Sequence, residues 1–295
     1  MKSKDSLGRG SVAGHQATFS LGHSPDPDDA FMFYAMATNK IDLRGYRFEH
    51  QLEDIQTLNE RALRGELHIS AISIHAYASV ADKYALFPCG ASMGDGYGPL
   101  IVTNQTPGIS DPRDFLRDKT VAVPGKMTSA FLALQLYLGS FKYVVVPFDR
   151  IFEAVNIGQA DAGLIIHEGQ LTYGDAGFRK VLDLGEWWKK RTGLPLPLGG
   201  NVVRKDISRA VQRDLLTIVR ESIEFGLAHR AEAVEHSMPY ARDMNSALAS
   251  KFIGMYVNDY TRDYGETGRK AIQLFLGEAR AAGYINRDVA IEFVG

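Results

Sequence analysis

From Thr18 onward, short apolar runs rich in β-branched residues alternate with longer stretches whose apolar residues recur at helical spacing. This alternation restricts the chain to an α/β architecture. Strands are expected at 17–22, 46–52, 68–71, 99–103, 120–123, 143–146, 162–166, 180–184 and 201–204, with helices between most of them, the pattern of a mainly parallel sheet. Residues 54–67 place Ile55, Leu58, Ala62 and Leu63 on one helical face, which should pack on a sheet. Residues 129–138 are apolar nearly all round, so that helix should be deeply buried. Beyond Ile207 the strand signal fades, and helices are expected at 211–235, 245–256 and 265–282.

At 295 residues the chain exceeds the usual single-domain size, which points to two lobes or one large α/β unit. Two segments read as crossings between lobes: the polar break Asn104-Gln-Thr-Pro-Gly108 and the Pro/Gly-rich Leu194-Pro-Leu-Pro-Leu-Gly-Gly200. They divide the chain into a first lobe of 17–103 and 201–295 and a second lobe of 104–200, with a ligand cleft between them. Residues 1–16 are polar and Gly/Ser-rich, without the apolar run of a secretory signal, and read as a disordered tail on a cytoplasmic protein. With 33 Lys plus Arg against 35 Asp plus Glu, the chain has no basic footprint for nucleic acid or anionic membrane. Its single cysteine, Cys89, excludes an internal disulfide or a multi-cysteine metal site and reads as a buried small hydrophobe. Nothing in the sequence sets the oligomeric state.

His167 ends the apolar run Ala162-Gly-Leu-Ile-Ile166 and precedes a polar stretch, so a titratable ring is expected where a buried strand meets a loop. Such a ring either moves protons or caps the strand through backbone hydrogen bonds. In Val121-Ala-Val-Pro-Gly-Lys-Met-Thr-Ser-Ala-Phe131 a strand reaches a turn and a helix opens at Thr128 and Ser129. Its first N–H groups suit a carboxylate or phosphate, although hydroxyls there also serve as ordinary caps. Ser70 and Ser73 repeat that arrangement in the other half of the chain. Asp26, Asp28 and Asp29, in Ser24-Pro-Asp-Pro-Asp-Asp-Ala30, lack the spacing of a calcium loop and read as a solvated cap with cleft-lining potential.

Two letter matches fail on context. Gly90-Ala-Ser-Met-Gly94 fits the nucleophile-elbow pattern, but Gly94-Asp-Gly-Tyr-Gly-Pro99 cannot open the helix an elbow needs. His167-Glu168 is not a zinc-binding H-E-x-x-H, because position 171 is leucine. The tryptophans of Asp183-Leu-Gly-Glu-Trp-Trp188 suit ligand stacking or, more often, burial against a sheet. Tyr256-Val-Asn-Asp-Tyr260 leaves the same choice open.

Taken in order and spacing, the motifs S-P-x-P-x-D, L-E-D-I-x-T-L-N, A-V-P-G-x-x-T-[ST]-A, A-G-L-I-I-H-E, D-L-G-x-W-W and T-G-L-P-L-P-L-G make the chain resemble the 1,4-dihydroxy-6-naphthoate synthases of the futalosine route to menaquinone. The resemblance implies a two-lobed, type II periplasmic-binding-protein-like fold with the ligand cleft between the lobes. It also implies a cofactor-independent, metal-free carbon–carbon lyase that acts on a small carboxylated molecule, cyclic dehypoxanthine futalosine. By motif position it assigns the general base to His167 and substrate contacts to Ala71, Ser73, Thr128, Ser129 and Ala130. Family members often carry S-P-C-P-N-D-T, where this chain has Asp26, Asp28 and Ala30 at the cysteine, asparagine and threonine positions. Two extra acids near a cleft disfavour an anionic ligand unless they turn away or are protonated. The other readings are a non-catalytic solute-binding protein for a small carboxylate and a chorismate dehydratase-like enzyme, which shares the fold but not the His-Glu motif.

Overall fold

Two sheets with helices around them make up the computed structural model, which describes residues 17–105, 111–242 and 244–295. The tail expected at 1–16, and Thr106, Pro107 and Gly108 of the first expected crossing, lie outside those residues. The chain opens with β1 (Thr18–His23), β2 (Arg47–Leu52), β3 (Ile69–Ser73), β4 (Tyr84–Leu86) and β5 (Ser92–Gly94), all in one sheet. It then builds a second sheet from β6 (Leu100–Thr103), β7 (Thr120–Val123), β8 (Lys142–Val145), β9 (Ala162–Ile165) and β10 (Arg179–Asp183). Strand β11 (Leu196–Arg204) returns to the first sheet, whose order is β2-β1-β3-β11-β4 with β5 also on β11. The second sheet runs β10-β6-β9-β7-β8.

The expectation of mainly parallel sheets is corrected. β1 lies parallel to β2 and β3, but β11 lies antiparallel to β3, β4 and β5. In the second sheet β7 is parallel to β8 and β9, while β6 is antiparallel to β9 and β10. Each sheet thus contains strands that meet their neighbours head to tail, and these lie at or near the passages of the chain between sheets. Leu100–Thr103, placed by sequence in the first lobe, pairs in the second sheet, so the first passage precedes it and lies at 95–99. β11 begins at Leu196, earlier than expected, because Pro197 is accommodated opposite Met93 beside an irregularity in register at Pro197/Gly199.

Local chemistry accounts for the helix boundaries. Asp54 accepts hydrogen bonds from Gln56 N and Thr57 N at 3.0 and 3.1 Å and starts the helix Ile55–Arg64, which ends at Gly65 with φ +69°. Asp183 caps Leu184–Thr192 through Gly185 N and Glu186 N. The helix Ser129–Leu138 is buried on nearly every side, as its all-round apolarity requires. One apolar core spans both sheets: Ile72 and Tyr77 from the first side meet Phe131, Leu134 and Trp188 from the second, with Phe275 of the helix Gly265–Ala281. A separate core packs β1 and β3 under the helix Arg209–Ala228. Among the described residues no helix is long and apolar enough to cross a membrane. Nor does any group of three or more His, Cys, Asp or Glu side chains among them form a metal-holding cluster.

Candidate functional site

Between the two sheets lies a cavity of about 120 Å³, partly open to solvent. One wall is built by β3 and β11, whose register sets Asn201 opposite Ala71 and Gly199 opposite Ser73. Alternate residues of a strand share a face, so these four positions form one patch, and all four line the cavity. The facing wall is the start of the helix Ser129–Leu138, where Thr128, Ser129 and Ala130 meet Ile166. The structure therefore brings together Ala71, Ser73, Thr128, Ser129 and Ala130 in a single cavity.

What those residues offer differs from what their types suggest. Thr128 Oγ1 accepts from Phe131 N at 3.1 Å and donates to Gly125 O at 2.9 Å, so it is spent on the cap. Ser129 Oγ donates to Leu198 O at 2.5 Å and accepts from His75 N at 3.1 Å, tying the helix start to the first sheet. The donors left at this helix start are the backbone N–H groups of Ser129 and Ala130, which lack the intrahelical partner that later turns supply. Ser73 Oγ accepts from Asn59 Nδ2 at 2.9 Å and Ser73 N donates to Asn59 Oδ1 at 2.9 Å, which leaves the hydroxyl proton of Ser73 to be donated. Ser70, by contrast, gives its hydroxyl to Ala71 O and is fully buried off the cavity wall.

His167 stands one residue beyond the wall. Ile166 lines the cavity and His167 does not. Its ring is 8% exposed and sits among Phe148 and Phe152, edge-on at 5.6 and 6.1 Å. Gly169 N donates to Nδ1 at 3.0 Å, while Nε2 is buried without a partner. Burial, joined by the Arg242 cation and opposed by Asp26 and Asp149, pulls the ring below its ordinary range and keeps it neutral. Beside it Glu168, nearly fully buried, is pushed up to about 7 by burial and by the Asp26 charge, against the pull of Arg242. Arg242 joins the two sides: it bonds Glu168 at 3.2 Å, Asp26 at 3.3 Å and Pro25 O at 3.2 Å, and lies over the Phe148 ring. The fused apolar core, the Ser129 hydroxyl and this cation hold the sheets against each other.

The acids of the Pro-Asp-Pro-Asp-Asp turn line the cleft as expected, but their reading as a solvated cap is corrected by their burial. Asp26, Asp28 and Asp29 all line the cavity. Asp26 is paired with Arg242 and accepts from Ser24 Oγ at 2.9 Å. Asp29 accepts from Ser24 N at 2.7 Å, yet burial carries its carboxyl up to about 7. Burial first, then the neighbouring charges of Asp29 and Asp26, pushes Asp28 well above the carboxylate range. Near neutral pH this corner therefore carries much less negative charge than its three acids imply.

Other features fall outside the chemistry. Ser92 of the G-x-S-x-G match lies in β5 with no following helix. Cys89 is buried and its thiol is pushed up to about 12 by burial. Trp188 is buried in the core, donating Nε1–H to Pro195 O at 3.1 Å. Tyr256 lines the cavity, with its hydroxyl donated to Gln170 Oε1 at 2.5 Å. Asn201 and Arg242 carry no local signal in the sequence, because their roles come from strand register and from contacts across the fold, and Asn59 stands in the L-E-D-I-x-T-L-N motif without its bond to Ser73 being legible there.

A family model described as menaquinone biosynthesis matches residues 19–281. A 1,4-dihydroxy-6-naphtoate synthase of Thermus thermophilus is 40% identical over 263 residues, 89% of this chain and 94% of that enzyme. A crystal structure of an Archaeoglobus fulgidus protein superposes with a TM-score of 0.87 at 45% identity, covering 92% of this chain and 100% of that one. The alkanesulfonate-binding protein of Xanthomonas axonopodis, at 14% identity, a TM-score of 0.73 and coverage of 95% and 98%, shares the fold alone. That fold is the two-lobed, type II periplasmic-binding-protein-like one, here with two mixed sheets.

Proposed function

The chain belongs to the menaquinone-biosynthesis family and groups there with the 1,4-dihydroxy-6-naphthoate synthases, which are lyases; from that premise we propose that it converts cyclic dehypoxanthine futalosine to 1,4-dihydroxy-6-naphthoate with His167 as general base. The observation that carries this reading is the pair of free N–H groups at Ser129 and Ala130, facing the Ser73 hydroxyl across one cavity. A helix start with converging donors is a seat for a carboxylate. Ser73 adds a third donor from the opposite wall, and the raised carboxyls of Asp28 and Asp29 lower the negative charge an anion meets in that corner.

Burial supports His167 as base, since a neutral ring is the form that accepts a proton. Its hydrogen bonding sets a condition. With Gly169 N–H on Nδ1, the neutral ring holds its own proton on Nε2. To receive the substrate's proton at Nε2 the ring must move that proton to Nδ1 and release Gly169, at a cost of about 1 kcal/mol. It must also reach past Ile166 to the cavity. Proton removal then starts carbon–carbon cleavage, with no metal or organic cofactor required in this reading.

The test is incubation of the purified protein with cyclic dehypoxanthine futalosine, with dihydroxynaphthoate followed by absorbance and mass. The wild type is expected to form product, and His167→Ala to lose turnover by a factor on the order of 10² to 10⁴ while staying folded. Near-normal turnover in the variant would end the role of His167. Absence of product from the wild type, with tight binding of a small carboxylate, favours a solute-binding protein instead.

A further inference from the structure

Asn201 is almost fully buried, and its side chain is only half satisfied. Nδ2 donates to Gly90 O at 3.0 Å, and Gly90, with φ +74°, lies so close that an added Cβ would stand 2.5 Å from Nδ2. This contact fixes which way the amide faces, so Oδ1 is the end left over. Among the described residues five buried side-chain atoms lack a hydrogen-bond partner, on Glu53, His167, Glu168, Asn201 and Tyr264, and Asn201 alone of these residues lines the cavity. Its strand partner is Ala71, whose apolar side chain offers the amide no hydrogen-bond partner on the shared face.

The seat itself is made of donors, the Ser129 and Ala130 N–H groups and the Ser73 hydroxyl, while the Asp26 carboxylate that also lines the cavity is already taken by Arg242 and Ser24 Oγ. Donors of this kind hold a carboxylate and cannot receive a hydroxyl's proton. We infer that Asn201 Oδ1 accepts a hydrogen bond from a hydroxyl of the molecule in the cavity, so that the site selects carboxylates that also bear a hydroxyl. This rests on the carboxylate seat proposed above and adds a specificity-determining residue to it. A buried acceptor left unpaired by a ligand without that hydroxyl disfavours such a ligand, which is how a site of this kind discriminates.

The experiment is a binding cycle under anaerobic conditions. Calorimetry compares 1,4-dihydroxy-6-naphthoate with 2-naphthoate, which keeps the ring and carboxylate but lacks both hydroxyls, on the wild type, Asn201→Ala and Asn201→Ser. The wild type is expected to prefer the dihydroxy compound by about tenfold or more, with the preference falling to within about threefold in either variant that folds. An undiminished preference in a folded variant overturns the inference while leaving the carboxylate seat intact. Failure of the wild type to bind either compound overturns the seat and the inference together. A crystal structure of the wild type with 1,4-dihydroxy-6-naphthoate decides the matter even if both variants unfold. A ligand hydroxyl within about 3.2 Å of Oδ1 supports the inference, and a water or an apolar edge there overturns it.

Discussion

Asp29 shows how a residue whose type argues against a function can serve it once its surroundings are known. Its folded carboxyl, pushed up to about 7 by burial, binds protons more tightly than the same group in the unfolded chain. A raised acid contributes stability below its unfolded range, near pH 4, and that contribution is lost as pH rises through about 7. Asp29→Asn keeps an oxygen to accept Ser24 N–H but cannot ionise. The melting temperature of the variant, relative to wild type, should therefore climb between pH 5 and pH 8, by about 2–4 °C for each kcal/mol released. A difference that is flat or falls over that range would remove the argument that this acid is held protonated. Residue types alone assigned these acids cleft-lining potential, which the cavity bears out, but could not show their burial, because burial is a property of the cavity wall and not of the turn. The same limit explains Ser129, whose hydroxyl is legible as a donor but whose commitment to Leu198 and His75 is not. Asn201 stayed invisible because it acts through β-strand register, and Asn59, though it ends the L-E-D-I-x-T-L-N motif, gave no sign of its bond to Ser73 fourteen positions away.

At the start of the helix Ser129–Leu138 the cap and the ligand seat are separable, because each uses a different atom. The hydroxyl of Thr128 closes the first turn, and its loss in Thr128→Ala should cost about 1 kcal/mol. The proposed seat is backbone N–H. Ser129 is the first helical residue, where proline is tolerated, and Thr128 before it is extended at φ −71° and ψ 146°, as a residue preceding proline must be. Ser129→Ala and Ser129→Pro both lack the hydroxyl, but only the second also lacks the N–H. The substrate KM of the proline variant should exceed that of the alanine variant by about tenfold, from one charge-assisted hydrogen bond. Equal KM values in steady-state assays would place the carboxylate elsewhere. This helix was legible because eight apolar residues in ten and a Thr-Ser start leave few alternatives. Three-residue β4 and β5 carry too little pattern to be seen, and Pro197 hid the first half of β11. The antiparallel joins depend on which sheet a strand enters, and no local propensity encodes that.

Across the whole molecule the two passages between sheets lie backbone against backbone. A Cβ on Gly185 would stand 1.9 Å from Tyr97 O, and one on Gly98 would stand 2.9 Å from Gly185 N, so glycine is required at both. The Asp183-Leu184-Gly185 run thus joins a helix cap to this close contact, and relative motion of the lobes would have to turn about it. At the far side of the cavity Arg242 is the clasp, since it touches Asp26 and Pro25 on one lobe and Glu168 and Phe148 on the other. Arg242 is more than a third exposed, so its pairing contributes modestly, about 1 kcal/mol or less. Glu168 is a different matter, because removing the cation leaves its carboxyl buried without a counter-charge, and closure then carries that cost. Arg242→Ala should therefore shift the lobes toward an open arrangement, seen as a larger radius of gyration in small-angle scattering at pH 8. Lowering the pH to about 6, below the Glu168 value of about 7 that loss of the Arg242 cation raises further, should protonate that carboxyl and restore much of the closure. A variant as compact as wild type at both pH values would show that the fused apolar core holds the lobes together without the clasp.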